Sequence, residues 1–184
     1  MTALSSSFLS FREQRANSIR PEFLFNSPMA KPKELEEGDP APDFHLKSDD
    51  GKEYSISQFA GKKEVLLYFY PKDDTPGCTK EACSFRDNFP HFSKEGVQIL
   101  GVSTDDLDSH SKFRKKYDLN FPLLSDPEHK VSDEYGVYKL KNNYGKDYWG
   151  IERSSFIIDK SGKIKKVFRR VKVDGHTEEI LANL

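Results

Sequence analysis

A chain of 184 residues is long enough for one domain with a substantial buried core, and its 14 phenylalanines supply apolar material for that core. Its 29 basic and 30 acidic side chains give a net charge of −1, so electrostatics provides no reason to expect nucleic acid or an anionic membrane as a partner. No apolar run approaches the roughly 20 residues that a membrane-spanning helix needs, and we therefore expect a soluble protein.

The first 28 residues differ in composition from the rest of the chain. They hold six serines and three arginines against two acidic residues, a composition found in organelle-targeting segments. A disordered tail, or a start placed too far upstream with Met29 as the true first residue, explains the same composition more simply. We expect residues 1–33 to be an N-terminal extension and residues 34–184 to form one domain. We expect a cytoplasmic protein, with a plastid or mitochondrion as the alternative.

From Glu34 onward the apolar pattern becomes regular. The turn signal Asp49-Asp50-Gly51 predicts a hairpin between two short strands. The continuous apolar and aromatic run Glu64–Tyr70 is typical of a strand buried on both faces. The segment Thr75–Lys94 then has the spacing of a helix.

Strands and helices also alternate over the rest of the chain. The remaining predicted elements are strands Phe44–Lys47, Tyr54–Ile56 and Val97–Ser103, helices near Leu107–Tyr117 and Asp126–Tyr135, strands Ser155–Asp159 and Lys163–Val171, and a closing helix Gly175–Leu184. This order predicts helices packed over a mixed sheet, which is compatible with a thioredoxin-like topology.

Residues suited to chemistry cluster where the buried strand Glu64–Tyr70 ends and the next helix begins, a common place for ligand sites in α/β proteins. Thr75 can cap this helix by accepting a hydrogen bond from a first-turn amide, and Pro76 suits the first helical position. Cys78 then falls in the first turn, where free N–H groups and the helix dipole favour the thiolate. These N–H groups could hold a small molecule such as a peroxide, and Gly77 would let it approach the backbone. The alternative is an ordinary free cysteine at the start of a helix.

Cys78 and Cys83 are the only cysteines, fewer than a disulfide-stapled secreted domain normally carries. We therefore expect a reducing compartment, and a disulfide that is chemical rather than structural. On an ideal helix their Cα atoms would be about 8.5 Å apart. A disulfide needs roughly 4.4–6.8 Å, so a bond between them requires the first turns of the helix to unwind.

The segment from Pro71 to Cys78 matches the Pro-x-x-x-Thr-x-x-Cys signature of peroxiredoxins. Its surroundings, FYPKDDTPGCTKEACSFRD, resemble the bacterioferritin-comigratory or peroxiredoxin Q subfamily. The similarity begins at GDPAPDF and continues through VLLYFYP, ILGVSTDDLDSHSKF and FPLLSDP to GIERSSFIID, nearly the whole chain apart from the N-terminal extension. The resemblance implies a thioredoxin-like, three-layer α/β fold, with helices on both sides of a mixed sheet and an N-terminal hairpin. It also implies a thiol-dependent peroxidase.

The resemblance further implies roles for individual residues. Cys78 would be the peroxidatic cysteine and Cys83 the resolving cysteine, so that the two form a redox-active disulfide. Thr75 would bind the peroxide, and Pro71 would shape the pocket and shield the sulfenic acid. Arg153 would stabilise the thiolate and polarise the O–O bond, because a guanidinium is permanently charged and offers several donors.

The implied cycle needs no metal or organic cofactor. Peroxide oxidises Cys78 to a sulfenic acid, Cys83 condenses with it, and a dithiol protein, which the family suggests is thioredoxin, reduces the disulfide. Glu81 could orient Arg153. Three aromatic residues could shape the pocket for hydrogen peroxide or organic hydroperoxides, namely Phe121, Tyr148 and Trp149. We expect a monomer.

Other classes of function remain open at this point. A thiol–disulfide exchange enzyme would prefer Cys-x-x-Cys and would not need Arg153. A redox-sensing or holdase-type binding protein would use the oxidation of Cys78 as a signal rather than as a step of turnover. A zinc site is disfavoured, since the five histidines are scattered without ligand spacing.

Overall fold

A five-stranded mixed sheet lies at the centre of the computed structural model, which describes residues 34–143 and 145–184. The expectations for residues 1–33 therefore lie outside the described residues. The strands are β1 (Leu46–Lys47), β2 (Glu53–Tyr54), β3 (Glu64–Phe69), β4 (Val97–Ser103), β5 (Leu123–Ser125), β6 (Tyr138–Asn143), β7 (Lys146–Ile151), β8 (Ser154–Ile158) and β9 (Ile164–Arg169). The helices are α1 (Pro76–Asp87), α2 (Phe89–Lys94), α3 (Leu107–Lys116), α4 (Lys130–Glu134) and α5 (His176–Leu181), and a short 3₁₀ turn spans Ser57–Phe59.

The central sheet has the strand order β5-β4-β3-β8-β9. Strands β3, β4 and β5 are parallel, whereas β8 runs antiparallel to β3 and β9 runs antiparallel to β8. The parallel strands all end at one edge of the sheet, and the start of β8 lies at that same edge because of its opposite direction. Two separate hairpins, β1–β2 and β6–β7, accompany this sheet.

Strand β3 is buried on both faces, as its continuous apolar sequence predicts. Alternate side chains of a strand point to opposite faces. Leu66 and Tyr68 therefore enter one apolar cluster, while Val65 and Leu67 enter another. Helices α1, α2, α3 and α5 cover the first face through Phe85, Phe92, Phe113 and Ile180. Helix α4 covers the second face, so the predicted layers of helices on both sides of a mixed sheet are confirmed.

The predicted single helix Thr75–Lys94 is wrong at its centre, where Asn88 separates α1 from α2. Pro90 supplies the physical reason. A proline lacks the backbone N–H that an interior helical position donates, and its ring clashes with the carbonyl four residues earlier. Pro90 is instead accommodated in the first turn of α2, where that donor is not needed.

Three strands escape prediction from the sequence. Strand β5 has only three residues. The β6–β7 hairpin carries mostly polar and charged residues, and much of it is exposed, so it lacks the alternation that marks a half-buried strand.

The predicted N-terminal hairpin is confirmed, with Leu46 opposite Tyr54, although each of its strands is only two residues long. Over residues 34–143 and 145–184, no helix has the length and apolar character needed to cross a membrane.

Candidate active site

The first turn of α1 carries Cys78, as the sequence predicts. Thr75 occupies the N-cap position in extended conformation, with φ −91° and ψ 151°, and Pro76 is the first helical residue. The Thr75 carbonyl accepts the first helical hydrogen bond from the N–H of Thr79 at 2.8 Å. The first-turn N–H groups have no acceptor within the helix and are available near the sulfur. Cys78 itself is buried, with 2% exposure.

The Thr75 hydroxyl does not cap the helix, so the predicted capping bond is wrong. The hydroxyl donates instead to the backbone carbonyl of Lys72, at 3.1 Å. This bond closes the turn that leads from β3 into α1. The lone pairs of the hydroxyl can still accept a hydrogen bond.

Arg153 lies beside the sulfur of Cys78, although 75 positions separate the two residues in sequence. The start of β8 explains this contact. Ser154 pairs with Phe69 at the end of β3, so Arg153 lies next to the point where the chain leaves β3 for α1. Arg153 Nη2 donates to Cys78 Sγ at 3.2 Å, and Arg153 Nη1 donates to Glu81 Oε2. A single guanidinium therefore bridges the thiol and a carboxylate.

The Glu81 carboxyl is buried, with 1% exposure, and this burial has the largest effect on its pKa. Burial raises the pKa of Glu81 to about 7, even though the charge of Arg153 and its hydrogen bond act in the opposite direction. Its Oε1 atom has no hydrogen-bond partner among the described residues. For Arg153, burial alone would lower the pKa, but Glu81 and Cys78 raise it above its usual value. Arg153 thus remains a cation in a largely buried site.

Gly77 makes room for the guanidinium. A Cβ atom at this position would lie 3.3 Å from Arg153 Nη2, tighter than an ordinary van der Waals contact. The sequence suggested that the missing side chain admits substrate to the backbone. In the structure the neighbour of Gly77 on this side is Arg153, so any side chain here would press on the group that contacts the sulfur.

Cys83 lies further along the same helix and is partly buried. Both cysteines are free thiols, and α1 is continuous from Pro76 to Asp87. Because this helix is intact, the two sulfurs are held apart as the sequence argument expects for the reduced protein.

The other four residues named from the sequence as parts of the pocket differ in burial: Phe121 is buried, whereas Pro71, Tyr148 and Trp149 are exposed. Pro71 follows β3 and is exposed. Phe121 is buried in the same apolar cluster as Cys78, with its ring edge-on to that of Tyr68 at 6.0 Å between centroids. Tyr148 and Trp149 are exposed side chains on β7, with 47% and 59% exposure. Phe121 is thus a core residue, whereas Tyr148 and Trp149 present apolar surface to solvent.

Lys141 is a neighbour of the site that the sequence did not reveal. Its half-buried side chain donates from Nζ to the backbone carbonyl of Ile151, two residues before Arg153. Burial lowers the pKa of Lys141, and the positive charge of Arg153 lowers it further, while Glu152 and Cys78 act in the opposite direction. Lys141 belongs to β6, whose polar sequence gives no sign of a strand, so no signal placed it near Cys78.

Comparison with known proteins agrees with this geometry. Residues 37–167 match the AhpC/TSA family. The chain belongs to the AhpC/TSA family. It is therefore a thiol-dependent peroxidase, and its thioredoxin-like fold is that of the family. This assignment favours the peroxidase over the exchange enzyme and the redox-sensing protein that the sequence left open.

Relatives of this family cover most of the chain. A putative peroxiredoxin bcp of Coxiella burnetii is 52% identical over 150 residues, which cover 82% of this chain and 99% of the relative. Peroxiredoxin Bcp of Bacillus subtilis is 50% identical over 150 residues, covering 82% and 95%. A structure of the Xanthomonas campestris bacterioferritin comigratory protein, described for its alkyl peroxide reduction activity, has a TM-score of 0.74 and 40% identity, and covers 80% of this chain and 94% of that one.

Replacing Glu81 should change how stability depends on pH. The pKa of Glu81 is about 7 in the folded protein, against an ordinary value of 4.5 for a glutamate, so the folded state binds more protons between these values. The contribution of Glu81 to the free energy of unfolding should therefore fall as pH rises from about 5 to about 8. Glu81→Gln cannot titrate, so its stability relative to wild type should increase over this range by on the order of 1–3 kcal/mol. Urea unfolding at a series of pH values measures the difference.

Asp87→Asn, at the exposed end of the same helix, serves as the control for this measurement. It should keep the pH profile of the wild type. If Glu81→Gln and the wild type show parallel stability profiles, the carboxyl does not titrate in this range and the proposed effect of its burial is wrong.

Proposed function

We propose that this peroxidase reduces hydrogen peroxide and organic hydroperoxides through Cys78, with Arg153 as the group that activates the sulfur. The contact of 3.2 Å between Arg153 Nη2 and Cys78 Sγ carries the proposal. It places a fixed cation and a donor on a cysteine that already lies in the first turn of a helix, where thiolates are favoured. The alkyl peroxide reduction described for the X. campestris relative supports organic hydroperoxides as substrates.

In the first step the Cys78 thiolate attacks the nearer oxygen of the peroxide. The O–O bond breaks, an S–O bond forms, and the leaving oxygen takes up a proton to depart as water or an alcohol, which leaves a sulfenic acid. Arg153 and the first-turn N–H groups stabilise the negative charge that develops on the oxygens. The Thr75 hydroxyl donates to Lys72, so it accepts the hydrogen bond of the peroxide O–H and thereby orients the substrate. Pro71 lies at the exposed side of the turn and limits access of water to the oxidised sulfur.

In the second step the Cys83 thiol attacks the sulfenic acid, and water leaves as the disulfide forms. The helix opposes this step, because its geometry keeps the two Cα atoms about 8.5 Å apart. Residues of the first turns of α1, including the buried Glu81 and Ala82, must leave their helical positions. Further along the helix, in the form with free thiols, Ser84 is joined to Thr177 at the start of α5 by a hydroxyl–hydroxyl contact of 2.6 Å. We therefore infer that unwinding is confined to the part of α1 that precedes Ser84.

A dithiol protein of the thioredoxin type then reduces the disulfide, and the helix re-forms. The comparisons support peroxides and a thioredoxin-like reductant as the reaction partners. The monomeric state, the absence of nucleic acid and membrane partners, and the cytoplasmic location stay predictions.

Turnover by two cysteine variants tests the assignment of the thiols. With thioredoxin and its reductase, wild type should consume peroxide continuously, whereas Cys78→Ser should fall to the background rate because no nucleophile remains. Cys83→Ser should reduce a single equivalent of peroxide and then recycle poorly with thioredoxin. Full activity of Cys78→Ser would refute the central assignment. Normal recycling of Cys83→Ser would show that Cys83 is not the resolving residue.

Hydrogen exchange tests the proposed unwinding. In the reduced protein the amides of α1 should be protected, and after one equivalent of peroxide those preceding Ser84 should exchange at least about tenfold faster. Helix α3 provides the internal control, since its protection should not change. Oxidised Cys83→Ser should also keep α1 protected, because it cannot form the disulfide. Unchanged protection of α1 in a protein that mass spectrometry shows to contain the disulfide would contradict the mechanism.

A further inference from the structure

A buried aspartate–histidine pair lies beside the turn that carries Thr75, and the reaction above does not use it. Asp73 belongs to this turn and is 7% exposed, and His110 in α3 is fully buried. His110 Nδ1 lies 2.8 Å from Asp73 Oδ2, and His110 Nε2 lies 3.1 Å from the backbone carbonyl oxygen of Leu124 in β5. The pair therefore ties the turn after β3 to α3 and to β5.

Both oxygens of the Asp73 carboxylate accept hydrogen bonds. The Tyr70 hydroxyl donates to Oδ1 at 2.7 Å, and the Ser109 hydroxyl donates to Oδ2 at 2.8 Å. Both ring nitrogens of His110 therefore have a polar partner within hydrogen-bond distance, Nδ1 in the Asp73 carboxylate and Nε2 in the Leu124 carbonyl oxygen. The backbone N–H of Asp73 also donates to Asp105 Oδ2 at 2.8 Å. Asp73 is thus fixed through both its side chain and its backbone.

The next residue shows that this turn must be held by its surroundings. Asp74 has φ 54°, in the left-handed region that costs conformational energy for a residue other than glycine. Its carboxylate accepts from Lys116 Nζ at 2.7 Å and from the Tyr117 hydroxyl at 2.6 Å, both at the end of α3. Helix α3 therefore holds the turn at two points, through His110 near the start of the helix and through Lys116 at its end.

None of the hydrogen bonds to Asp73 described here comes from α1, and this matters because α1 must unwind. The partners lie in the turn itself, after β4, in α3 and, through His110, in β5. The Thr75 hydroxyl is bonded to Lys72, so the segment from Lys72 to Thr75 is one hydrogen-bonded unit with Asp73 inside it. This unit can stay in place while the helix after it opens and closes.

We propose that Asp73 and His110 are positioning residues of the peroxidase reaction, which hold the Lys72–Thr75 turn so that the Thr75 hydroxyl meets the peroxide in a single geometry. They act through the turn and do not touch the substrate. The proposal rests on the function proposed above for Cys78 and Thr75. Because a misplacement of about 1 Å can slow a reaction by about a hundredfold, a loosened turn should slow peroxide attack even in a folded protein.

Two reactions of the Cys78 sulfur distinguish a role in positioning the Thr75 hydroxyl from a role in the stability of the fold alone. Reaction with hydrogen peroxide needs the oriented hydrogen-bonding groups of the site, including the Thr75 hydroxyl, whereas reaction with iodoacetamide needs only an accessible thiolate. The second-order rate constants of Cys78 with both reagents are measured in variants that also carry Cys83→Ser, and their ratio is the readout. A role in stability alone would lower the melting temperature but leave the ratio unchanged at a temperature where each variant is folded.

The expected results form a series. His110→Leu leaves Asp73 without its buried partner and should lower the peroxide-to-iodoacetamide ratio at least about tenfold. Asp73→Asn should keep the ratio within about threefold, since its amide can donate to a neutral His110 and preserve the link. Ser109→Ala removes one donor from Asp73 and should lower the ratio by about threefold to fivefold. Lys112→Ala, an exposed position on the same helix, is the matched control and should leave the ratio unchanged.

An unchanged ratio in folded His110→Leu would overturn the proposal. If His110→Leu does not fold, Ser109→Ala decides in its place, and a ratio equal to that of the Lys112→Ala control would overturn the proposal in the same way. Failure of the proposed function itself would look different. In that case Cys78 of the otherwise unchanged protein would react with peroxide no faster than an ordinary free thiol, whatever the variants do.

Discussion

The site depends on the contacts of one guanidinium, that of Arg153, with two buried side chains, the thiol group of Cys78 and the carboxyl group of Glu81. Cys78 and Glu81 lie one turn apart on α1, both almost without exposure, and Arg153 donates to each of them. Burial of an uncompensated charge is costly, so a thiolate and a carboxylate can share this interior only if a cation serves both. A planar guanidinium has several donors in a fixed arrangement, whereas the ammonium group of lysine is a compact point charge.

The surrounding fold can be understood as the support for that guanidinium. The antiparallel pairing of β8 with β3 delivers Arg153 to the edge at which β3 ends and α1 begins. The absence of a side chain at Gly77 leaves space for it. Burial raises the pKa of Glu81 to about 7, so its ionised and neutral forms are present in similar amounts near physiological pH. Arg153 donates to the Cys78 sulfur as well as to this carboxyl.

A second constraint is a conflict within α1. The intact helix places Cys78 at its positive end, which favours the thiolate, yet it keeps Cys83 too far away to form a disulfide. The two steps of the reaction thus require two states of one short helix. A fixed point outside that helix allows it to open and return, and the segment from Lys72 to Thr75, held by α3, has the position and the contacts to be that point.

Much of this was accessible from the sequence, for identifiable reasons. A strand buried on both faces and a helix start marked by Thr75 and Pro76 are local signals, and they located Cys78 correctly. The contact with Arg153 came only through family resemblance, since no local pattern joins residues 75 positions apart. The helix-capping role predicted for the Thr75 hydroxyl was wrong because its competing acceptor, the Lys72 carbonyl, depends on how the turn folds. Lys141 was missed because its strand is exposed and polar.

The most direct test of the central contact is the rate at which peroxide oxidises Cys78 in Arg153→Lys, followed by stopped-flow mixing. Lysine keeps the positive charge but cannot donate to the sulfur and to Glu81 with the same fixed geometry. We expect the second-order rate constant to fall by about a hundredfold or more, whereas Arg170→Lys, an exposed control, should match wild type. A rate for Arg153→Lys within about twofold of wild type would show that charge alone suffices, and would contradict the role assigned to the bridging guanidinium.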